Sequence, residues 1–130
     1  MKNPQLFAVL LLTTCTMMAC KSKSPQELIV KKWKITEMTG PLAATMSDSS
    51  KQKLYDMAVM EFTKDGKFAT TGLSSGTKTG TYSMIANGKQ LVSTNTGDTH
   101  ADTLNILEIT TDKMLLEDLK GLLKISLKTK

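Results

Sequence analysis

The sequence predicts an all-β fold: an eight-stranded antiparallel up-and-down barrel with a short N-terminal helix. Three observations carry this. Beyond Met57 the chain alternates short strand-like runs with turn signals such as Lys64-Asp65-Gly66-Lys67 and Asn95-Thr96-Gly97-Asp98. Ala86-Asn87-Gly88-Lys89 turns through an Asn-Gly pair, the strongest short hairpin signal. The last run places Leu123, Ile125 and Leu127 on one face and Lys124, Ser126 and Lys128 on the other, as expected for a wall with one buried and one wet side. Short links let consecutive strands pair with their neighbours. Closing an eight-stranded meander removes both of its edges and leaves an interior wide enough for packed side chains or one small ligand. A two-sheet sandwich of the same strands is the structural alternative.

The first element is a leader. Lys2 is followed by a largely apolar run from Leu6 to Ala19, too short for the roughly twenty apolar residues a membrane span needs. Ala19-Cys20 and polar Lys21-Ser22-Lys23-Ser24 come next. The pattern is that of a secretory signal, and the Cys after a small residue makes it resemble a bacterial lipoprotein signal. Cys15 competes, with Leu12 three residues before it, but Thr14 is a bulkier neighbour than Ala19. Residues 1–19 are thus expected to be the signal peptide, Cys20 the lipidation site, 20–27 a tether and 28–130 the barrel domain. The resemblance implies a fatty-acylated, lipid-anchored protein of the bacterial cell envelope, at the outer membrane.

Losing Lys2 with the leader lowers the net charge from +5 to +4. With Cys15 removed and Cys20 acylated, no free thiol is left for a disulfide or a catalytic cysteine. All the positive charge is lysine and there is no arginine, so the planar bidentate recognition of phosphate that arginine gives is absent. Lys21, Lys23, Lys31, Lys32 and Lys34 follow closely on Cys20 and suit an anionic leaflet, or are simply solvated.

Ser24-Pro25-Gln26-Glu27 is a capping box that opens a short helix. By Trp33 the pattern alternates, with Trp33, Ile35 and Glu37 on one side and Lys34, Thr36 and Met38 on the other, and Gly40-Pro41 ends the strand. Ser47 or Asp48 caps a second short helix through Leu54 and Tyr55, so the interval from Gly40 to Asp56 is a lid or a strand connector. Strands follow at Met57–Phe62, Phe68–Leu73, Thr77–Ile85, Gln90–Thr94, His100–Thr110, Met114–Asp118 and Leu122–Lys128.

An early Trp33, then Glu61-Phe62-Thr63-Lys64-Asp65-Gly66-Lys67-Phe68, Gly80-Thr81-Tyr82-Ser83 and Leu107-Glu108-Ile109-Thr110 before Met114-Leu115-Leu116 resembles the small bacterial lipocalin-like lipoproteins. In place of that family's Gly-x-Trp opening stands Lys31-Lys32-Trp33. The likeness covers most of 28–128 and implies the barrel and the envelope location. It brings no defined ligand and no catalytic residue.

No pattern points to an enzyme or a cofactor. Ser47, Ser49 and Ser50 beside Asp48 have neither a His nor a Gly-x-Ser-x-Gly elbow to activate them. Gly72-Leu73-Ser74-Ser75-Gly76 lacks the ending of a phosphate loop. Asp98, His100 and Asp102 are a thin set for zinc, and a solvated strand start is their default reading. Nucleic acid is excluded as a partner by the envelope address and by aromatics too few to stack bases: Trp33, Tyr55, Tyr82, Phe62 and Phe68 beyond the leader. Met57 and Met60 face opposite ways in a strand, which disfavours a thioether copper site.

Two function classes stay open. In the first, the tethered barrel holds a small apolar ligand, with Met46 and Leu54 over the mouth and Trp33 inside, although core packing is the first role of a lone Trp. In the second, the barrel is filled and its loops contact an envelope protein.

Overall fold

The structure is a computed structural model describing residues 22–130. The signal over 1–19 and the lipid site at Cys20 lie outside these residues. Helix α1 (Pro25–Ile29) precedes β1 (Lys32–Thr39); α2 (Pro41–Ala44) and α3 (Asp48–Met57) lead to β2 (Val59–Phe62). Then come β3 (Lys67–Ser74), β4 (Gly76–Ile85), β5 (Gln90–Asn95), β6 (Asp102–Ile109), β7 (Lys113–Asp118) and β8 (Lys124–Thr129). Every strand pairs antiparallel with its sequence neighbour, and β8 returns to β1, giving the closed eight-stranded barrel the sequence predicts.

One end is closed by α1. Ser24 caps the helix through the expected box: its hydroxyl accepts from Glu27 N–H, and the Glu27 carboxylate accepts from Ser24 N–H. Pro25 seats against the β4–β5 turn, where a Cβ on Gly88 would come within 2.6 Å of the Pro25 ring. Ile29 is driven into the core, and its carbonyl accepts a 2.9 Å bond from the Trp33 indole N–H. Above it the interior is packed with Trp33, Phe62, Leu91, Met114, Leu116 and Leu127, each no more than 2% exposed. Tyr82 meets Phe62 edge-on at 5.0 Å.

The opposite end, the mouth, carries α2, α3, the β3–β4 and β7–β8 turns and the β5–β6 loop. Here the structure departs from simple alternation. A bulge between Ile35 and Glu37 shifts the register of β1 against β8, so Met38, not Glu37, packs against the core. The extra residue of a bulge flips the facing of everything after it. Met57, expected to start a strand, ends α3 instead, and His100, expected in a strand, lies in the loop before β6.

Pairing of β1 with β2 covers only Lys32–Lys34. Beyond it, where β1 lacks a strand partner on that side, α3 takes over: the Met38 N–H donates to the Tyr55 hydroxyl at 3.0 Å. The interval read as lid or connector therefore closes the seam between β1 and β2.

Candidate functional site

Helix α3 is positioned from both sides. Ser47 caps it, its hydroxyl accepting from Ser50 N–H at 3.2 Å. Its C-terminal end abuts a distorted stretch of β3, where the β3–β4 register slips between Thr70 and Ser74. Gly72 sits in that stretch at φ +80°, and a Cβ there would collide with the Met57 carbonyl. Only glycine accepts both the angle and the approach.

Between α3 and the β3–β4 hairpin runs an open groove of about 690 Å³. Met46, Leu54, Met57 and Leu73 give it an apolar wall, and Ser50 and Lys53 edge it with polar groups. Met57 is 53% exposed and Leu73 41% exposed, so this apolar surface is available to a partner. Ser74 and Ser75 line it as well, so the groove offers apolar contact beside polar groups able to orient a ligand.

The structure brings together two of the three residues assigned to ligand contact. Met46 and Leu54 line the groove. Trp33 does not: it is fully buried toward the closed end, bonded to Ile29 and capped by Lys31, whose Nζ stands 5.3 Å from the ring centroid. Met57 and Leu73 complete the wall. Sequence reading placed Met57 in a strand and gave Leu73 no role; a longer helical register over Asp48–Met57 would have found Met57 alone.

A second cleft, of about 520 Å³, lies at the closed end beside α1 and is lined by Val30, Lys64, Tyr82 and Met84 among others. The Tyr82 hydroxyl donates to Thr63 O at 2.8 Å. Burial, with the nearby Asp65 charge adding to it, pushes its pKa above the ordinary tyrosine value. Asp65 itself is held below the usual carboxylate range, first by the Thr63 hydroxyl and also by Lys67. The Tyr82 bond ties the β2–β3 turn to β4, whereas the Asp65 contacts with Thr63 and Lys67 stay within that turn.

His100 and Asp102 are not joined into a cluster with Asp98, which accepts a 2.9 Å bond from the Asn95 amide. Among the described residues no three His, Cys, Asp or Glu side chains gather as metal ligands would, and no helix is long and apolar enough to cross a membrane.

Residues 29–116 match the lipocalin-like domain family. No curated protein matches the chain. Similar solved structures include a lipocalin-like protein from Bacteroides uniformis, with 18% identity and a TM-score of 0.58 over 79% of this chain and 99% of that one. An uncharacterized protein from Bacteroides eggerthii has 18% identity and a TM-score of 0.56 over 78% and 99% of the two chains. A DUF4847 family protein from Bacteroides vulgatus has 12% identity and a TM-score of 0.57 over 79% and 94%. At these identities the likeness is one of fold.

Proposed function

The chain belongs to the lipocalin-like domain family, and on that footing we propose that it is a lipid-anchored envelope lipoprotein whose barrel binds a small apolar ligand. The observation that carries the binding reading is the groove of Met46, Leu54, Met57 and Leu73. Because the core between Trp33 and Leu116 is filled, the ligand lies in this groove at the rim and not on the barrel axis. Burying an apolar chain there yields about 25 cal/mol per Å² covered, and Lys53 at the edge favours a ligand with an anionic end. Acylation at Cys20 holds the barrel to the envelope, and no catalytic step is assigned to it.

The test is native mass spectrometry of the mature domain purified from its own cells. A co-purifying small molecule that a Leu54→Asp variant fails to retain supports the binding reading. A clean apoprotein, with no saturable uptake of fatty acids or similar apolar probes, overturns it. The anchor has its own test. Cys20→Ser should abolish labelling by a fatty-acid analogue and free the protein from membranes, whereas unchanged attachment refutes lipidation.

A second reading has its own observation. Leu42, Leu119 and Leu122 stand 51%, 60% and 41% exposed at the mouth. The Leu42 N–H to Leu122 O bond of 3.0 Å joins α2 to the β7–β8 turn that carries the other two. This rim suits contact with an envelope protein, with the filled barrel as its scaffold.

A further inference from the structure

The fold sorts charge along the barrel axis. The closed half comprises residues 22–35, 61–70, 81–92, 106–115 and 127–130, and it holds ten lysines against five acids. The mouth half holds five lysines against seven acids. The excess is densest on three neighbouring strands. Lys34 on β1 pairs with Lys128 on β8, and Lys128 pairs with Lys113 on β7. Their strand neighbours Trp33, Ile35, Leu127 and Met114 are buried, so the three lysines share the outer face. Lys31, Lys32 and Lys130 extend the patch to the rim of the closed end.

Like charges directly opposite one another across a ladder are destabilising. Among the described residues Lys113 pairs with Glu108 at 3.7 Å and Lys32 at the rim with Glu61 at 3.8 Å, while Lys34 and Lys128 have no ion pair. The isolated barrel thus carries an unfavourable arrangement that a negatively charged surface would turn favourable. The chain leaves the barrel at this same end. Only residues 21–23 separate Cys20 from the N-cap Ser24, and fully extended chain covers at most about 3.6 Å per residue. An acyl group on Cys20 therefore holds the closed end near the lipid headgroups, with α1 crossing that end from Pro25 beside the β4–β5 turn to Lys32 at the start of β1.

We propose that the closed end and the lower β7–β8–β1 wall form a docking face for the anionic headgroups of a bilayer, so that the barrel stands with its mouth away from the membrane. The lipid anchor of the proposed function supplies the proximity, and the lysine face supplies the orientation. Each lysine near an anionic surface contributes about fivefold to membrane partition.

The barrel closes on itself within residues 32–129, and the solved chain from Bacteroides uniformis is covered by it over 99% of its length, so residues 21–130 are a folding unit. This lipid-free domain is sedimented with vesicles of phosphatidylglycerol mixed into phosphatidylcholine, and with vesicles of phosphatidylcholine alone. It should bind the anionic vesicles at low salt, and lose them as salt rises. Changing Lys34, Lys113, Lys128 and Lys130 to Gln should reduce partition by about two orders of magnitude or more, while the thermal midpoint stays equal or rises. The charge-matched variant Lys51→Gln, Lys78→Gln, Lys120→Gln and Lys124→Gln should keep most of its binding. Equal losses in both variants, no binding by the parent domain, or equal binding to neutral vesicles would each overturn the proposal. Failure here leaves acylation at Cys20 untouched, because that reading stands on labelling of the full chain.

Discussion

Trp33 joins the first strand to the helix that closes the barrel. Its ring is fully buried, its N–H reaches the Ile29 carbonyl, and Lys31 lies over its face while donating to Thr111 O at 2.6 Å. Trp33→Phe keeps most of the apolar contact but loses the indole bond and some volume. Since Ile29 O still accepts from Lys31 N–H, the expected cost is about 1–2 kcal/mol, read by circular dichroism in urea. Asp118 works on the same scale at the mouth. Its carboxylate accepts from Leu123 N–H at 2.7 Å and from Lys120 N–H at 3.3 Å, fixing the β7–β8 turn. The Leu123 bond foremost, with those around it, holds its pKa below the ordinary aspartate value. The folded state therefore releases this proton more readily than the unfolded chain. The stability it contributes is complete above about pH 4 and fades as pH falls through the lowered folded value. Asp118→Asn should flatten the acid limb of the unfolding curve, and an acid limb identical to the parent's would contradict this role.

At the scale of elements, the turns were legible because their chemistry is local. The Asn87-Gly88 turn and the capping box at Ser24 stand where the sequence put them. The mouth was less legible because its geometry depends on long-range contacts. Nothing near Thr36 signals the bulge that turns Met38 inward, since it arises where α3 replaces β2 as the neighbour of β1. The groove was half readable: Met46 and Leu54 stood out in a polar interval, but Met57 and Leu73 join them only through the seating of α3 on Gly72. Two glycine substitutions separate local from long-range effects. Gly66, at φ +79°, has no backbone atom closer than 3.5 Å to an added Cβ, so Gly66→Ala costs only the left-handed conformation, about 1–2 kcal/mol. Gly72→Ala adds the collision with Met57 and should cost more, while also displacing α3 and weakening any ligand in the groove. Chemical denaturation ranks the two, and a smaller loss at Gly72 would contradict the seating of α3.

The whole molecule combines a filled lower barrel, a basic closed end capped by α1, and an apolar rim with a groove at the far end. Barrel and family were readable from strand count, turns and motif order, which survive at low identity. The charge asymmetry was not, because Lys34, Lys113 and Lys128 become neighbours only when β8 closes onto β1. The claim that joins these features is that an apolar ligand enters at the rim beside α3 and leaves the core closed. Nuclear magnetic resonance of the labelled domain 21–130, titrated with a soluble fatty acid, tests it most directly. Amide shifts should saturate at one ligand per chain and concentrate at Met46, Leu54, Met57 and Leu73, while the Trp33 indole N–H resonance stays in place. Shifts centred on Trp33 and Leu116, or no saturable shift with any apolar probe, would contradict it.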